Sequence, residues 1–392
     1  MRSAGRTELI EGLKQVREQT LQWVAYLQPE QWQVPYLGTI NPPLWEIGHI
    51  GWFQEYWCLR WRPQAAPAAC LLPEGDNWFD SRSIDHPTRW ALPQANHGQI
   101  RDYLAETLER TIDGLKRAPE SPDGLYFYRL ALFHEQMHVE ALAYTWQTLG
   151  IRLGIHSGLG SPLPALKPLA LLDPPQPVGQ CTWRLGSSAQ ESFVFDNEKW
   201  AFDVEVPAFE IASEPISNAL YLKFVLDCGY SNPQFWEVDY FSQMTREGRR
   251  LPRYWREQNG QYERQRFGVW EALPALEPVM HVSAFEAQAY AQWAGLRLPT
   301  ETEWEIAAHT LGEFEWGNSV WEWTASPFEP FAGFRPDPYA EYSQTSFGNT
   351  RVVRGGSYLT PRPLVHPKFR NFFEPTRNDL FVGFRTARSI SE

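Results

Sequence analysis

The first 150 residues have the spacing of apolar positions that is typical of amphipathic helices. Apolar side chains recur every three or four residues over 7–28, 43–61, 97–117 and 123–149. Pro43 suits a first helical turn, Asp123 is expected to cap the fourth helix, and Gly150 is expected to end it. Four such helices predict a bundle, with a long loop over 64–95 between the second and third helices.

The pattern changes after the fourth helix. Residues 151–177 are rich in Pro, Gly and Leu without periodicity, which predicts a linker. Residues 178–392 show short β-like runs, many Gly and Pro turns, and only two clear helical patterns, at 217–228 and 283–294. The chain is therefore predicted to be a multidomain α+β protein, with a helical bundle over 1–150 and a loop-rich domain after the linker.

Two histidines on the fourth predicted helix are the first candidates for chemistry. His134 and His138 stand four residues apart, so both imidazoles project from one face, close enough to hold one metal ion. The helix leaves little polar face, and buried imidazoles need partners. His49, on the second predicted helix, becomes a third candidate ligand once a bundle packs these helices together, although a lone histidine on an apolar helix is more often a core residue.

The same segment matches the HExxH pattern of zinc peptidases, with Glu135 as general base. The extended form of that motif needs Gly and His at later positions, which here hold Ala141 and Tyr144. The zinc peptidases place this helix beside a sheet edge, whereas this region is predicted to be all helical. A zinc hydrolase stays open as a less favoured alternative.

Composition narrows the classes of partner. The net charge of −12 and the lack of a long Lys/Arg run argue against nucleic acid. No apolar run approaches the roughly 20 residues that cross a bilayer, and the N-terminus lacks a secretory signal. Four scattered cysteines without a CxxC pair fit a reducing cytoplasm. We expect a soluble cytoplasmic monomer or small homo-oligomer; its 15% aromatic content indicates aromatic cores or a pocket for a cationic or planar ligand.

Four motifs in the second half resemble a formylglycine-generating-enzyme (sulfatase-modifying factor) domain. They are RLPTETEWEIAA (297–308), GNSVWEWTAS (317–326), RVVRGGSY (351–358) and FVGFRTAR (381–388). The first half resembles a DinB-type four-helix bundle, and the combination resembles the ergothioneine sulfoxide synthases (EgtB) and their relatives. Formylglycine-generating enzymes carry a late reactive cysteine pair for copper, whereas the last cysteine here is Cys228, so that chemistry is not expected.

The resemblance implies a non-heme iron(II) enzyme that uses O₂. Its metal ligands would be His49, His134 and His138. Its acceptor would be hercynine, the trimethylated betaine of histidine, whose imidazole carbon is joined to sulfur or selenium. GNSVWEWT is also similar to calcium sites of some formylglycine-type domains, although a packed aromatic turn is the favoured interpretation.

The segment FRNFFEPTRND (369–379) departs from the FRNWD-P-RR pattern of the sulfoxide synthases. Asn371 is retained, Phe372 replaces Trp, and Phe373 replaces the Asp that helps to bind the γ-glutamylcysteine donor. Met137 replaces a frequent Gln, and Phe331 stands where relatives often carry a catalytic Tyr. The resemblance thus implies substrate-binding roles for Arg89, Met137, Phe331, Arg370, Asn371, Phe372 and Phe373.

These losses of charged contacts fit a neutral donor, such as a selenosugar. The tail and the loop over 71–93 look most like the selenoneine synthase (SenA) branch, which predicts C–Se bond formation on hercynine. An EgtB-type enzyme with a thiol donor is the alternative, and a non-catalytic binding module or a DinB-type thiol transferase are further ones.

The remaining polar residues have two interpretations each. Asp85, His86 and Arg89 contact the donor or form a salt-bridged loop, and Arg370 is a pocket residue or, as slightly favoured, part of a domain-interface ion pair. Tyr339 and Tyr342 line the active site or only pack it. Glu140 is expected to orient a ligand histidine. His281, His309 and His366 follow no ligand spacing and are expected to be structural.

Overall fold

The computed structural model describes residues 1–25, 27–91, 96–152, 164–169 and 174–390. The helices of the first half are α1 (Arg6–Val24), α2 (Pro43–Glu55), α3 (Gly75–Phe79), α4 (His97–Arg117) and α5 (Tyr126–Leu149). A π-helical turn, Tyr56–Arg60, extends α2. Helix α1 packs on α5, and α2 packs on both α4 and α5, which confirms the predicted bundle. Short α3 lies in the long loop between α2 and α4.

Two helix boundaries differ from the predicted ones. Helix α1 ends at Val24, before the predicted end at 28, and Gln28, which precedes Pro29, is extended. Helix α5 begins at Tyr126, since residues 121–125 form a turn in which the Ser121 hydroxyl accepts from the backbone N–H of Gly124. Asp123 therefore lies in a turn and is not the N-cap. Gly150 does end α5, in the left-handed conformation with φ of 65°.

The second half contains twelve short strands within the described ranges. They are β1 (Gln176–Val178), β2 (Cys181–Leu185), β3 (Phe202–Val206), β4 (Phe209–Ile211), β5 (Trp255–Gln258), β6 (Gln261–Arg266), β7 (Val269–Ala272), β8 (Trp321–Pro327), β9 (Arg351–Gly355), β10 (Asn371–Phe373), β11 (Val382–Phe384) and β12 (Ala387–Ser389). The sheet next to the bundle has the order β10-β9-β8-β11, in which only β8 and β11 are parallel. The other sheets are β1-β4-β12, β2-β3 and β5-β6-β7.

Strand β1 begins inside the segment that was assigned to the linker. Gln176 pairs with Ile211 of β4, so Gln176 and Pro177 belong to the sheet of the second domain and not to the linker. Residues 153–163 and 170–173 of the predicted linker lie outside the described residues.

Four longer helices accompany these strands. They are α6 (Asn218–Leu226), α7 (Val238–Arg246), α8 (Ala284–Trp293) and α9 (Glu301–Thr310). The sequence predicted α6 and α8, but the expectation of only two helices was wrong. Helix α7 is capped by the Glu237 side chain, and α9 by a Thr300–Glu303 capping box. Both helices are short, so their apolar periodicity is weak in the sequence, although their capping residues can be recognised there.

The two halves share one hydrophobic core. Phe133 of α5 lies 5.1 Å from Phe193 and 5.7 Å from Phe195, measured between ring centroids. Near the N-terminus, Arg2 donates two hydrogen bonds to the buried carboxylate of Glu198 in the second half. These contacts hold the first half against the segment between β2 and β3. Across the described ranges, no helix combines the length and the apolar character needed to span a membrane.

Candidate metal centre and adjoining cavity

Helices α2 and α5 bring the three predicted ligand histidines together. The ligating atoms of His49, His134 and His138 all lie within 4.8 Å of one another, and Nε2 of His134 is 3.1 Å from Nε2 of His138. Two imidazole nitrogens that share one first-row metal ion at about 2.1 Å each lie roughly 3 Å apart. The spacing therefore fits a single ion. Within the ranges that the structure describes, no other group of three His, Cys, Asp or Glu side chains has this proximity.

Hydrogen bonds to Nδ1 of His49 and His138 determine which nitrogen of each ring faces the other histidines. Nδ1 of His49 lies 2.8 Å from the carbonyl oxygen of Phe79, and Nδ1 of His138 lies 2.5 Å from Oε1 of Glu46. Because these oxygens accept, each Nδ1 carries a proton, and Nε2 is the nitrogen left to bind a metal. This is the second-layer arrangement that metal-binding histidines use to fix their tautomer.

Gly48 makes the hydrogen bond between His49 and the Phe79 carbonyl possible. A Cβ at Gly48 would lie 2.4 Å from the ring of Phe79, so any larger residue would push α3 away from α2. The close approach places the Phe79 carbonyl beside His49.

Aromatic rings enclose two of the ligands. Phe53 stacks on His134 at 3.5 Å and 4°, and Trp45 stacks on His49 at 4.8 Å and 7°. Burial, together with the neighbouring His138, lowers the pKa of His49 to about 3, and burial also lowers the pKa of His134 well below its usual value. Both imidazoles are thus neutral near pH 7, the form that binds a metal. The residues present fit a metal ion.

Glu46, and not Glu140, forms a hydrogen bond with a predicted ligand histidine. Although burial opposes its ionisation, the adjacent His138 and the other donors around it lower the pKa of Glu46. Oε1 of Glu140 instead accepts hydrogen bonds from Trp321, Ser357 and Thr360 of the second domain, at 2.9, 2.5 and 2.8 Å. The prediction for Glu140 was wrong because a residue two positions after His138 faces about 200° around the helix. Glu46 was missed, although its place one turn before His49 on an apolar helix was a readable signal.

Glu135 points away from the histidines. Its carboxylate accepts from the Arg17 guanidinium at 2.8 and 3.0 Å and from the Thr20 hydroxyl at 2.8 Å, all inside the bundle. A residue next to His134 in sequence lies about 100° around the helix. Glu135 therefore cannot serve as the general base of an HExxH hydrolase, and the zinc-hydrolase alternative loses its base.

A cavity of about 220 Å³ adjoins His138 between α5 and the second domain. It is lined by Met137, His138, Glu140, Ala141, Tyr144, Trp321, Tyr342, Leu364, Asn371, Phe372, Phe373, Leu380 and Phe381. Four of the predicted substrate residues, Met137, Asn371, Phe372 and Phe373, are among them. The lining combines aromatic faces with few polar groups, as is usual in small-molecule sites.

The two tyrosines of the loop before β9 have different places. Tyr342 lines the cavity and packs edge-on against Phe372, with 5.9 Å between ring centroids. Tyr339 packs edge-on against Phe53, the ring that covers His134, at 5.0 Å. Tyr342 thus forms part of the cavity wall, while Tyr339 supports the ring behind a predicted ligand histidine.

Phe331 and Arg370 do not line the cavity. The Arg370 guanidinium forms a buried bidentate ion pair with Glu301 at 2.7 and 2.9 Å and lies 4.0 Å from the Phe331 ring. This ion pair lies inside the second domain, so it is not the domain-interface pair that was favoured. Phe331 also packs edge-on against Phe202.

The loop before α4 also lies apart from the cavity. Arg89 donates to the amide oxygen of Asn41 at 2.6 Å, and its guanidinium carbon lies 3.9 Å from the Trp45 ring. His86 bonds through Nε2 to the carbonyl oxygen of Ile40 at 2.7 Å. These contacts fasten the loop to the start of α2.

The segment GNSVWEWT, for which a calcium site was the less favoured interpretation, contains a buried ion pair. The buried Glu322 carboxylate accepts from the Arg385 guanidinium through both of its oxygens and from Trp304 Nε1 at 2.9 Å. A carboxylate already neutralised by arginine is a poor cation ligand. The ion pair therefore favours a packed aromatic turn over a calcium site in this segment.

An arginine behind the cavity wall is neutralised. The Arg377 guanidinium lies 5.9 Å from the Phe373 ring, and it donates to both carboxylate oxygens of Asp379 at 2.6 Å. Among the described residues, the cavity lining includes no lysine or arginine. The wall therefore offers no free positive charge to an anionic ligand.

The buried histidines outside the cluster predict a pH dependence. Burial lowers the pKa of His281 to about 3, whereas an unfolded chain has the ordinary value of 6.5. Between these values the unfolded state binds the extra proton, so the free energy of unfolding falls as the pH drops from 6.5 towards 3. His281→Gln in metal-free protein should make this fall shallower by about 1 kcal/mol per pH unit, measured by urea unfolding between pH 7 and 5. Identical slopes in both proteins would contradict it.

Family models and full-length relatives both match this chain. The sulfatase-modifying factor enzyme 1-like domain matches residues 177–320 and 311–390, and the DinB superfamily matches residues 12–142. A protein named hercynine oxygenase from Mycolicibacterium smegmatis is 33% identical, covering 98% of this chain and 99% of its own. Its namesake from Mycobacterium tuberculosis is also 33% identical, covering 90% and 92%. Ergothioneine biosynthesis protein 1 of Schizosaccharomyces pombe is 24% identical, covering 89% and 52%.

Proposed function

Because the chain belongs to the family of hercynine oxygenases (EgtB-like proteins), we propose that it holds iron(II) at His49, His134 and His138 and uses O₂ to join a chalcogen to the imidazole carbon of hercynine. The observation that carries the proposal is the convergence of three imidazoles beside a cavity with aromatic walls. When bound, iron(II) with three protein ligands supplies open coordination positions and the redox chemistry that O₂ requires.

The cavity suits a betaine with a quaternary ammonium group. Such cations bind to aromatic faces, and Phe372, Trp321 and Tyr342 all contribute to the lining. Glu140 adds a carboxylate to the same wall, and Asn371 adds an amide. Since His138 is also part of the lining, a betaine held here has its imidazole close to the metal ligands, and positioning of this kind accounts for much of an enzyme's rate.

Tyr342 is the proton-bearing group that we assign to the reaction. Burial raises the pKa of its phenol well above the usual value, so the hydroxyl stays protonated near neutral pH. Tyr342 lines the same cavity as His138, so its side chain borders the proposed substrate site. The sequence had offered Phe331 at the position of a catalytic tyrosine, so Tyr342 takes over that assignment.

For the donor we propose a neutral selenosugar in place of an anionic thiol peptide. Phe373 presents an apolar ring to the cavity, and Asp379 already neutralises Arg377 behind it. The carboxylates of γ-glutamylcysteine would lose water there without gaining a cationic partner, which is costly. A neutral sugar avoids this cost. An EgtB-type reaction with a thiol donor is the second candidate, favoured by the hercynine oxygenases among the relatives.

Anaerobic loading with ferrous iron followed by O₂ tests the proposal. With hercynine and a 1-selenosugar we expect O₂ uptake and a hercynine product that contains selenium, identified by mass spectrometry. With γ-glutamylcysteine we expect a kcat/KM at least about tenfold lower, because its charges remain unpaired. Zinc-loaded protein serves as the control and should consume no O₂. Lack of O₂ uptake with either donor would contradict the proposed function, and a preference for the thiol would contradict only the donor.

A further inference from the structure

We infer that Arg89 is a positioning residue for the metal centre: it holds two of the three ligand histidines in place, through Asn41 and Glu46 on one side and through Trp45 on the other. The inference deepens the proposed function and rests on it, since iron is the ion that these histidines are proposed to hold. It replaces the donor-binding role that the sequence suggested for Arg89.

The first connection is a chain of three hydrogen bonds. Arg89 donates to Oδ1 of Asn41 at 2.6 Å, Nδ2 of Asn41 donates to Oε2 of Glu46 at 2.6 Å, and Nδ1 of His138 donates to Oε1 of Glu46 at 2.5 Å. Asn41 thus accepts through its oxygen and donates through its nitrogen. Arg89 thereby fixes which way the Asn41 amide points, because only the oxygen can accept from a guanidinium. Glu46 is 3% exposed and uses both oxygens in this way.

The second connection runs through stacked rings. The Arg89 guanidinium lies 3.9 Å from the centre of the Trp45 ring, and Trp45 is stacked on His49 with an angle of 7°. The indole N–H of Trp45 donates to the carbonyl oxygen of Trp78 at 2.7 Å. The next carbonyl, that of Phe79, accepts from His49. Trp45 and His49 are therefore anchored side by side on α3, and Arg89 covers the indole.

The surroundings of Arg89 favour this role over donor binding. It does not line the cavity beside His138. Its Nε is buried and has no hydrogen-bond partner in the part of the chain that the structure describes. A donor that reached this atom would make Arg89 a substrate-binding residue, so the experiment must separate metal affinity from donor affinity.

The test compares the affinity for ferrous iron across matched variants. Arg89→Met removes the charge and the donor but keeps an unbranched stem over Trp45, and Asn41→Ala breaks the same chain one step later. Arg89→Lys keeps a charge and one donor. Arg256→Ala is the control, because that guanidinium also covers a tryptophan, Trp270, at 4.2 Å, but in the β5–β7 sheet of the second domain. Iron dissociation constants are measured anaerobically by competition with a chelator, and melting temperatures are measured on the metal-free proteins.

Loss of an outer partner of a metal ligand lowers metal affinity by about 10- to 100-fold. We expect Arg89→Met and Asn41→Ala each to weaken iron binding about tenfold. The double variant should be at most about twofold weaker than the worse single one, since both interrupt one chain. Arg89→Lys should stay within about threefold of the wild type, and Arg256→Ala should be unchanged. The KM for the donor should not change once iron is saturating.

Unchanged iron affinity in Arg89→Met together with a raised KM for the donor would overturn the inference, while the proposed function would stand. Should Arg89→Met not fold, Asn41→Ala decides alone: unchanged affinity in that variant would also overturn the inference. Failure of the wild-type protein to bind ferrous iron would overturn the proposed function itself, and the inference with it.

Discussion

Replacing His138 by glutamine is expected to lower the affinity for ferrous iron by at least about a hundredfold and to abolish O₂-dependent product formation. His138 supplies one of three converging nitrogens, so its loss leaves two ligands, a larger change than loss of an outer partner. His138 is only half-buried, and a glutamine amide can still donate to Glu46, so the bundle should stay folded. Iron content after anaerobic loading and gel filtration, with O₂ uptake on the same samples, measures the effect.

His281→Gln is the matched control for this substitution. It makes the same chemical change at a buried histidine whose Nδ1 lies 3.2 Å from the carbonyl oxygen of Asp379, outside the three-histidine cluster. Iron content and turnover should equal those of the wild type. Full iron loading of the His138→Gln protein would show that the ion is held elsewhere.

Replacing Phe373 by aspartate is expected to shift donor preference towards an amine-bearing thiol peptide. The new carboxylate would lie in the cavity lining, where it can pair with the amino group of γ-glutamylcysteine, while the neutral selenosugar loses an apolar surface. We expect the ratio of kcat/KM for the thiol peptide to that for the selenosugar to rise by about 10- to 100-fold, equivalent to about 1.4–2.7 kcal/mol. Competition between both donors, with products separated by mass, gives the ratio directly.

Phe373→Leu controls for the loss of the ring. It keeps the wall apolar and should leave the donor ratio within about threefold of the wild type, although it changes the fit of both donors. An equal shift in Phe373→Leu and Phe373→Asp would mean that cavity shape, and not charge, sets the donor preference. No shift in either variant would place the donor away from β10.

The three glutamates near the histidines show where sequence reasoning reached its limit. Glu46, Glu135 and Glu140 all lie within three residues of a ligand histidine. Spacing alone assigned a catalytic role to Glu135 in one interpretation and an orienting role to Glu140 in another. The packing of the neighbouring elements gave Glu135 to Arg17 of α1 and Glu140 to Trp321 of β8, and left Glu46 facing His138. A helix has several faces, and which neighbour covers each face is a tertiary property.

Only some of the residues that the sequence suggested for substrate binding line the cavity. Met137, Asn371, Phe372 and Phe373 reach the cavity because α5 and β10 face each other across the domain boundary. Arg370 instead pairs with Glu301 inside the second domain and packs on Phe331. Arg89 packs on Trp45. Tyr342 was named without a firm role, since nothing in the spacing of the loop that carries it shows that it lines the same cavity as His138.

The sequence by itself determined the helical first half and the loop-rich second half, and it singled out the three histidines as one candidate metal site. These follow from local periodicity and from residue types whose spacing limits their geometry. Only the tertiary structure decided which nitrogen of His49 and His138 faces inward, which acid orients His138, and which side chains form the cavity. Those properties depend on contacts between residues far apart in sequence, such as His138 with Glu46 and Glu140 with Thr360, and no local pattern encodes them.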